Sequence, residues 1–343
     1  MSVVGARPQF IKAAPVSRAI RRRHDEVLVH TGQHYDENMS QVFFRELDIP
    51  EPDINLGVGS GPHGAQTGAM MSGLEKVALE VRPDWVLVYG DTNSTLAAAL
   101  VAAKLHQNLA HVEAGLRSYD RRMPEEVNRV VADHLSDLLL CPTDTAVRNL
   151  AREGIDRGVH VIGDVMYDAF LHSADGAKKR SEIIGRLGLT PGRFALATVH
   201  RAENTDDLER LASIMRGMDL SGLDVVLPLH PRTRARLRED IGPRIKLIDP
   251  VGYLDMIAIE GAAEIIVTDS GGVQKEAYFL AKPCITLRES TEWTETVAAG
   301  WNVLVGSDAD RIAESMRNFR PAGKRIDLFG DGHASEKIAE LLG

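Results

Sequence analysis

Acidic residues and histidines in this chain collect directly behind short apolar runs, where proton-transfer groups would be held in place. Trp85–Tyr89 leads into Gly90-Asp91-Thr92-Asn93-Ser94, and Leu109–Glu113 closes on a glutamate with Arg117 soon after. Met123-Pro124-Glu125-Glu126 opens the next helical pattern. Further on, Phe194–Val199 leads into His200-Arg201, and Val225–Leu229 into His230-Pro231. Clustered carboxylates shift one another's pKa values, and an imidazole at a strand end can move a proton or hold a phosphate. Each residue alone has a plainer role. Asp91 or Thr92 could cap a helix, Pro-Glu-Glu is a common helix opening, and a strand-end glutamate can simply be solvated. The recurrence of acids in the first half and of histidines in the second points to acid–base work.

Two further stretches suit an anion. Gly5-Ala6-Arg7-Pro8-Gln9-Phe10-Ile11-Lys12 places Arg7 and Lys12 around a helix start, with Gly5 read as a tight turn and Pro8 as a first-turn residue. Thr268-Asp269-Ser270-Gly271-Gly272-Val273-Gln274-Lys275-Glu276 ends a strand in a small turn and begins a helix at once. Here Ser270, Gly271 and Gly272 let backbone N–H groups meet a diphosphate, and Glu276 can accept from ribose hydroxyls. This is not the G-x-G-x-x-G of dinucleotide folds, so the stretch points to a nucleoside diphosphate and not to a nicotinamide cofactor. Arg288 through Glu295 follows another strand and adds a cation and acids suited to a sugar nucleotide. Arg117 and Arg201 are further candidate substrate cations. His30 and His34 do not make a helical metal pair, and no C-x-x-C or H-E-x-x-H occurs; neither a metal nor a cofactor is expected.

These residues need a scaffold that brings strand ends together. Six strand patterns in the first half begin at Ser2, Val27, Trp85, Leu109, Leu138 and Val159; six in the second begin at Phe194, Val225, Ile245, Ile265, Cys284 and Val303. Helical patterns such as Ser94–Leu105 and Gly272–Leu280 lie between them. This alternation implies an α/β protein of two doubly wound parallel sheets with ligands at the strands' carboxyl ends. The 343-residue length agrees with two domains. The reading gives residues 1–165, then 166–330, and a final helical segment at 331–343. The opening strand is short, as if the start were truncated.

A net charge of −9 argues against a nucleic-acid or anionic-membrane surface. No apolar run reaches the ~18 residues a membrane span needs, and the start lacks a signal-peptide pattern. Cys141 and Cys284 read as inert core thiols, which favours a cytoplasmic protein.

Taken together, GARPQFIKAAPV, TGQHYDENMS, VYGDTNSTLAA, HVEAGLR, MPEEVNR, HRAEN, HP, TDSGGVQKEA and TEWTETVAAGWNVLVG, in that order, resemble the non-hydrolysing UDP-N-acetylglucosamine 2-epimerase family over essentially the whole chain. The resemblance implies a glycosyltransferase-B-like fold of two Rossmann-like domains with an interdomain cleft, a C-terminal helix returning to the first domain, and a homodimer. It implies interconversion of UDP-GlcNAc and UDP-ManNAc through 2-acetamidoglucal and UDP. Asp91, Glu113 and Glu125 would be the acid–base carboxylates, with His200 at the departing phosphate. Arg7 and Lys12 would approach the diphosphate and sugar, and His230, Ser270, Gly271, Gly272, Glu276 and Glu295 would bind UDP and sugar. Gln9 stands where the family often has a glutamate, and Trp293 and Thr294 where it has arginine and proline. Tyr35-Asp36-Glu37-Asn38 differs from the segment tied to allosteric UDP-GlcNAc, which argues against such activation. Related epimerases acting on UDP-2,3-diacetamido-2,3-dideoxyglucuronate share GARPQF and HTGQHYD; a substrate carboxylate would call for Arg121 or Arg122. A retaining glycosyltransferase, a hydrolysing epimerase and a non-catalytic sensor are the rival readings.

Overall fold

The computed structural model describes residues 1–33, 51–229, 231–234, 236–237 and 241–343, with Arg7, Pro231 and Arg232 by their backbones alone. The chain divides into two compact units. The first is Met1–Leu171 with Asp327–Gly343, the second His172–Ile326.

The first unit carries a seven-stranded parallel sheet. Its strands are β1 (Ser2–Val4), β2 (Leu28–His30), β3 (Ile54–Asn55), β4 (Trp85–Tyr89), β5 (Asn108–Val112), β6 (Leu138–Cys141) and β7 (Val159–Val161). Their order is β3-β2-β1-β4-β5-β6-β7. The sequence pattern gave six strands here; β3 is the addition, too short to stand out as an apolar run. Helices α1 (Arg7–Ile20), α2 (His63–Val81), α3 (Asn93–Lys104), α4 (Pro124–Leu135) and α5 (Asp144–Arg152) connect the strands, and α6 (Val165–Arg180) runs across the boundary into the second unit. Val3, Val29, Val86, Val88 and Leu109 pack with Met70, Leu74, Ala98 and Ala102 in one core. The central strands are mostly apolar, as in β4 (Trp85–Tyr89), because helices leave both faces of such a sheet dry.

The second unit holds six parallel strands in the order β10-β9-β8-β11-β12-β13. They are β8 (Phe194–Thr198), β9 (Asp224–Pro228), β10 (Ile245–Ile248), β11 (Ile265–Thr268), β12 (Cys284–Thr286) and β13 (Asn302–Leu304). Along β8, Ala195 and Ala197 join one core while Phe194 and Leu196 join the other, the alternation a two-sided sheet requires. Helices α7 (Leu208–Leu220), α8 (Tyr253–Ala262), α9 (Gly271–Phe279), α10 (Thr294–Ala298) and α11 (Ala309–Asn318) pack around it.

The last helix, α12 (Ala334–Leu341), belongs to the first unit and packs on α1. Buried Asp168 accepts hydrogen bonds from the Ala334 and Ser335 N–H groups and the Ser335 hydroxyl, so α6 supplies the cap that α12 lacks in its own sequence. Among the described residues no helix is long and apolar enough to cross a membrane. Cys141 and Cys284 are free and buried, and burial pushes both thiols up to about 12.

Candidate functional site

In each sheet the strand order reverses at one point: between β1 and β4 in the first, between β8 and β11 in the second. Loops diverge there and leave a crevice at the carboxyl ends. The segments following β1 and β4 are Gly5–Lys12 and Gly90–Ser94; those following β8 and β11 are His200–Asn204 and Asp269–Gly272. Arg7, Lys12, Asp91, His200, Arg201, Ser270, Gly271 and Gly272 therefore follow the strands at the two switch points, while Glu113, Arg117, Glu125, Glu276, Arg288 and Glu295 come from neighbouring segments.

In the first unit Lys12, one turn into α1 and 7% exposed, forms a 2.7 Å ion pair with Glu113 at the end of β5. Burial alone would lower the Lys12 pKa, but Glu113, Asp91 and Asp164 outweigh it and hold the ammonium above its usual range. Glu113 sits at φ 71°, in the left-handed region that a side chain of its length seldom adopts. Asp91 pairs with Arg129, whose guanidinium also reaches Glu126 at 2.9 Å. Burial would lower the Arg129 pKa; Asp91, Glu126 and Glu113 raise it overall. Two cations and two carboxylates thus alternate in one small region: Lys12, Glu113, Asp91 and Arg129.

Gln9 sits at the third position of α1. Its Oε1 accepts from the Gly5 and Ala6 N–H groups at 2.8 and 3.1 Å, and its Nε2 donates to the Tyr89 carbonyl at 2.8 Å. An amide serves donor and acceptor here, where a carboxylate would serve only acceptors. Gly5 has no positive φ; its need is space, since a Cβ would run into the Ser94 and Thr31 hydroxyls. That corrects the tight-turn reading.

Glu125 lies exposed on the first turn of α4, while its neighbour Glu126 turns inward. Glu126 accepts from the Ser118 and Tyr119 N–H groups, both at 2.9 Å. Burial would raise its pKa, but these bonds and Arg129 bring it below the ordinary value. Arg117 does not present a cation: its guanidinium, 1% exposed, is held at 2.7 Å by Asp133 and by Glu153. Arg129, Asp133, Glu126 and His111 were missed from sequence. Arg129 follows Glu126 at helical i,i+3 spacing, which could have signalled it.

In the second unit the register pairs Thr198 with Thr268, so the residues that follow emerge side by side. His200 Nδ1 lies 3.1 Å from the buried Asp269 carboxylate. Asp269 also accepts from the His200 and Arg201 N–H groups and from Asn204. Burial would raise its pKa, yet these donors bring it below the usual carboxylate range. A carboxylate on Nδ1 fixes the ring and leaves Nε2 on the opposite edge, with the side chain 43% exposed. Asp269 was quoted in the strand–turn–helix stretch without a role; the pairing of two strands that each end in a polar residue was its signal.

Ser270 caps α9 by accepting from the Val273 N–H, so Gly271 and Gly272 form the first turn. A Cβ on Gly271 would meet the Glu292 carboxylate and the Trp293 indole, which is why the position is glycine. Glu292 pairs with Arg288 at 2.8 Å and with Arg201 at 3.7 Å. Trp293 carries the Lys275 ammonium 4.2 Å from its ring centroid. Glu276 is 5% exposed and faces Glu260 and Tyr253; burial first, then the Glu276 charge, pushes the Glu260 carboxyl well up. Glu295 is half-buried on the first turn of α10. His230, His34 and the Tyr35–Asn38 segment lie outside the described residues, as does the side chain of Arg7. No group of three metal-ligating side chains occurs among the described residues.

Residues 18–343 match the sequence profile of the UDP-N-acetylglucosamine 2-epimerase family. The chain belongs to that family. A UDP-N-acetylglucosamine 2-epimerase homolog of Methanococcus maripaludis is 53% identical, across 100% of this chain and 98% of its own. The UDP-2,3-diacetamido-2,3-dideoxy-D-glucuronate 2-epimerase of Pseudomonas aeruginosa is 50% identical over 100% and 98%. The crystal structure of the Methanocaldococcus jannaschii UDP-GlcNAc 2-epimerase, in complex with UDP-GlcNAc and UDP, superposes with a TM-score of 0.88 at 45% identity, covering 99% of this chain and 98% of that one. The fold is accordingly α/β of the glycosyltransferase-B-like kind, and the protein is an enzyme of the sugar-nucleotide 2-epimerase class.

Proposed function

We propose that this enzyme inverts C2 of a UDP-N-acetylhexosamine, interconverting UDP-GlcNAc and UDP-ManNAc by eliminating UDP to 2-acetamidoglucal and adding it back. The observation that carries this reading is the Lys12–Glu113 ion pair beside Asp91 and Arg129, a carboxylate pair held by buried cations at the sheet's switch point. In the forward step a carboxylate takes the C2 proton while the C1–O bond breaks and its electron pair leaves with UDP. The C2–H is a weak acid, so the base must be positioned and the leaving phosphate stabilised in the same event. His200, braced by Asp269, and the N–H groups at the start of α9 suit the β-phosphate. Re-addition returns UDP to C1 and a proton to the other face of C2. Asp91, Glu113 and Glu125 are the candidate acids and bases. Ser270, Gly271, Gly272, Glu276, Glu295 and His230 are the candidate UDP and sugar contacts. A homodimer acting in the cytoplasm belongs to the same reading.

A second substrate, UDP-2,3-diacetamido-2,3-dideoxyglucuronate, is favoured by the 50% identity to an epimerase of that name. Of the cations expected to meet its carboxylate, Arg122 is paired with Asp120 at 2.8 Å and almost wholly exposed, and Arg121 is exposed. Proton NMR of the purified enzyme with each UDP-sugar distinguishes the two. The expected result is a second anomeric signal growing to a fixed ratio for UDP-GlcNAc; conversion of the uronate alone would move the assignment. Release of free sugar, or transfer to an acceptor, would contradict the epimerase reading itself.

A further inference from the structure

Beneath the two turns that carry Asp91 and Glu113 lies a chain of buried polar groups that the proton chemistry does not use. His111, on β5, is wholly buried; its Nδ1 lies 2.7 Å from Asp133 Oδ1 and its Nε2 2.7 Å from the Gly90 carbonyl oxygen. The other Asp133 oxygen accepts from the Gly115 N–H at 3.1 Å and from Arg117 at 2.7 Å. Arg117 in turn donates twice to Glu153, both at 2.7 Å. The carbonyl of Gly90 cannot donate, and Asp133 already accepts two N–H bonds on its far oxygen. Each ring nitrogen of His111 thus has its own partner, Nε2 the Gly90 carbonyl and Nδ1 the Asp133 carboxylate. The buried Arg117 cation is matched by the buried Asp133 and the partly exposed Glu153, as buried charge demands.

The position of this chain gives it a consequence. Gly90 directly precedes Asp91, and Gly115 closes the strained turn that Glu113 opens. We infer that His111 is a positioning residue: bridging the Gly90 carbonyl and, through Asp133, the Gly115 amide, it fixes the Asp91 and Glu113 turns relative to each other. Two carboxylates that must serve opposite faces of one carbon need a constant separation. A single strand residue tied to both turns supplies it. The inference rests on the proposed roles of Asp91 and Glu113.

The test compares His111→Phe, which keeps the ring's volume and removes both bonds, with Asp133→Asn. In Asp133→Asn the amide donates to Nδ1 and its oxygen still accepts from Gly115, so the Nε2–Gly90 bond survives. His111→Phe is expected to lower kcat by about 100-fold, the scale of a small misplacement of a reacting group. KM and UDP affinity should stay within about threefold, while Asp133→Asn loses about tenfold or less. Amide hydrogen exchange should rise at residues 90–91 and 113–115 in His111→Phe and stay unchanged in α9. Unaltered kcat in a folded His111→Phe would overturn the inference, as would exchange rising across the whole first unit. If His111→Phe does not fold, exchange in His111→Asn, whose shorter amide cannot span both the Gly90 carbonyl and Asp133, decides: a rise at 90–91 and 113–115 supports the bridge, and no change at either turn overturns it. Should wild type convert neither UDP-sugar, the epimerase reading fails, but the exchange comparison needs no substrate and still tests the bridge.

Discussion

Glu113 is where chemistry and conformation are in conflict. A side chain at φ 71° costs about 1–2 kcal/mol over glycine, and such strain persists where the surroundings over-determine it. Glu113→Gln is expected to keep UDP binding, measured by calorimetry, and to lose epimerisation. Glu113→Gly should be equally inactive yet recover part of the strain energy, so its urea midpoint should exceed that of the Gln variant. Glu260 presents a second residue-scale case. Its raised pKa means that the folded chain holds a proton the unfolded chain releases above about 4.5, the ordinary value. Its contribution is complete below that pH and is lost as pH rises toward the folded value. Glu260→Gln should remove this fall, so the ratio of variant to wild-type stability grows between pH 5 and pH 8. An identical pH profile in the two proteins would contradict the assignment.

At the scale of elements, the strand patterns were legible because parallel strands covered on both faces read as unbroken apolar runs. β3 escaped because two residues make no run. The acid-bearing turns were legible as polar residues ending such runs, but orientation was not. Nothing in Pro124-Glu125-Glu126 says which glutamate turns inward; backbone N–H groups at Ser118 and Tyr119 select Glu126. Arg117 looked like a substrate cation because its partners, Asp133 and Glu153, are remote in sequence. Gly271 was legible as a glycine the site requires, though the neighbours that require it are Glu292 and Trp293. Gly271→Ala should displace the start of α9 and weaken UDP binding by about tenfold or more, roughly the loss of one charge-assisted hydrogen bond. Binding at the wild-type level would show that the turn tolerates a Cβ.

For the whole molecule, order of motifs along the chain identified the family, while the partition of the chain depended on packing at a distance. The closing segment belongs to the first unit because α12 packs on α1 and Asp168 receives its first N–H groups. Deleting residues 327–343 should raise hydrogen exchange in α1 and β1 and leave β8 and β11 as protected as before; uniform protection would show that α12 is dispensable.

The central claim is that C2 is deprotonated and reprotonated. It is tested most directly by running the enzyme in D2O with UDP-GlcNAc and reading C2 by proton NMR. The account predicts that deuterium enters C2 of substrate and product at the rate of epimerisation, and that Glu113→Gln abolishes both together. Epimer formed with its C2 proton retained would contradict it.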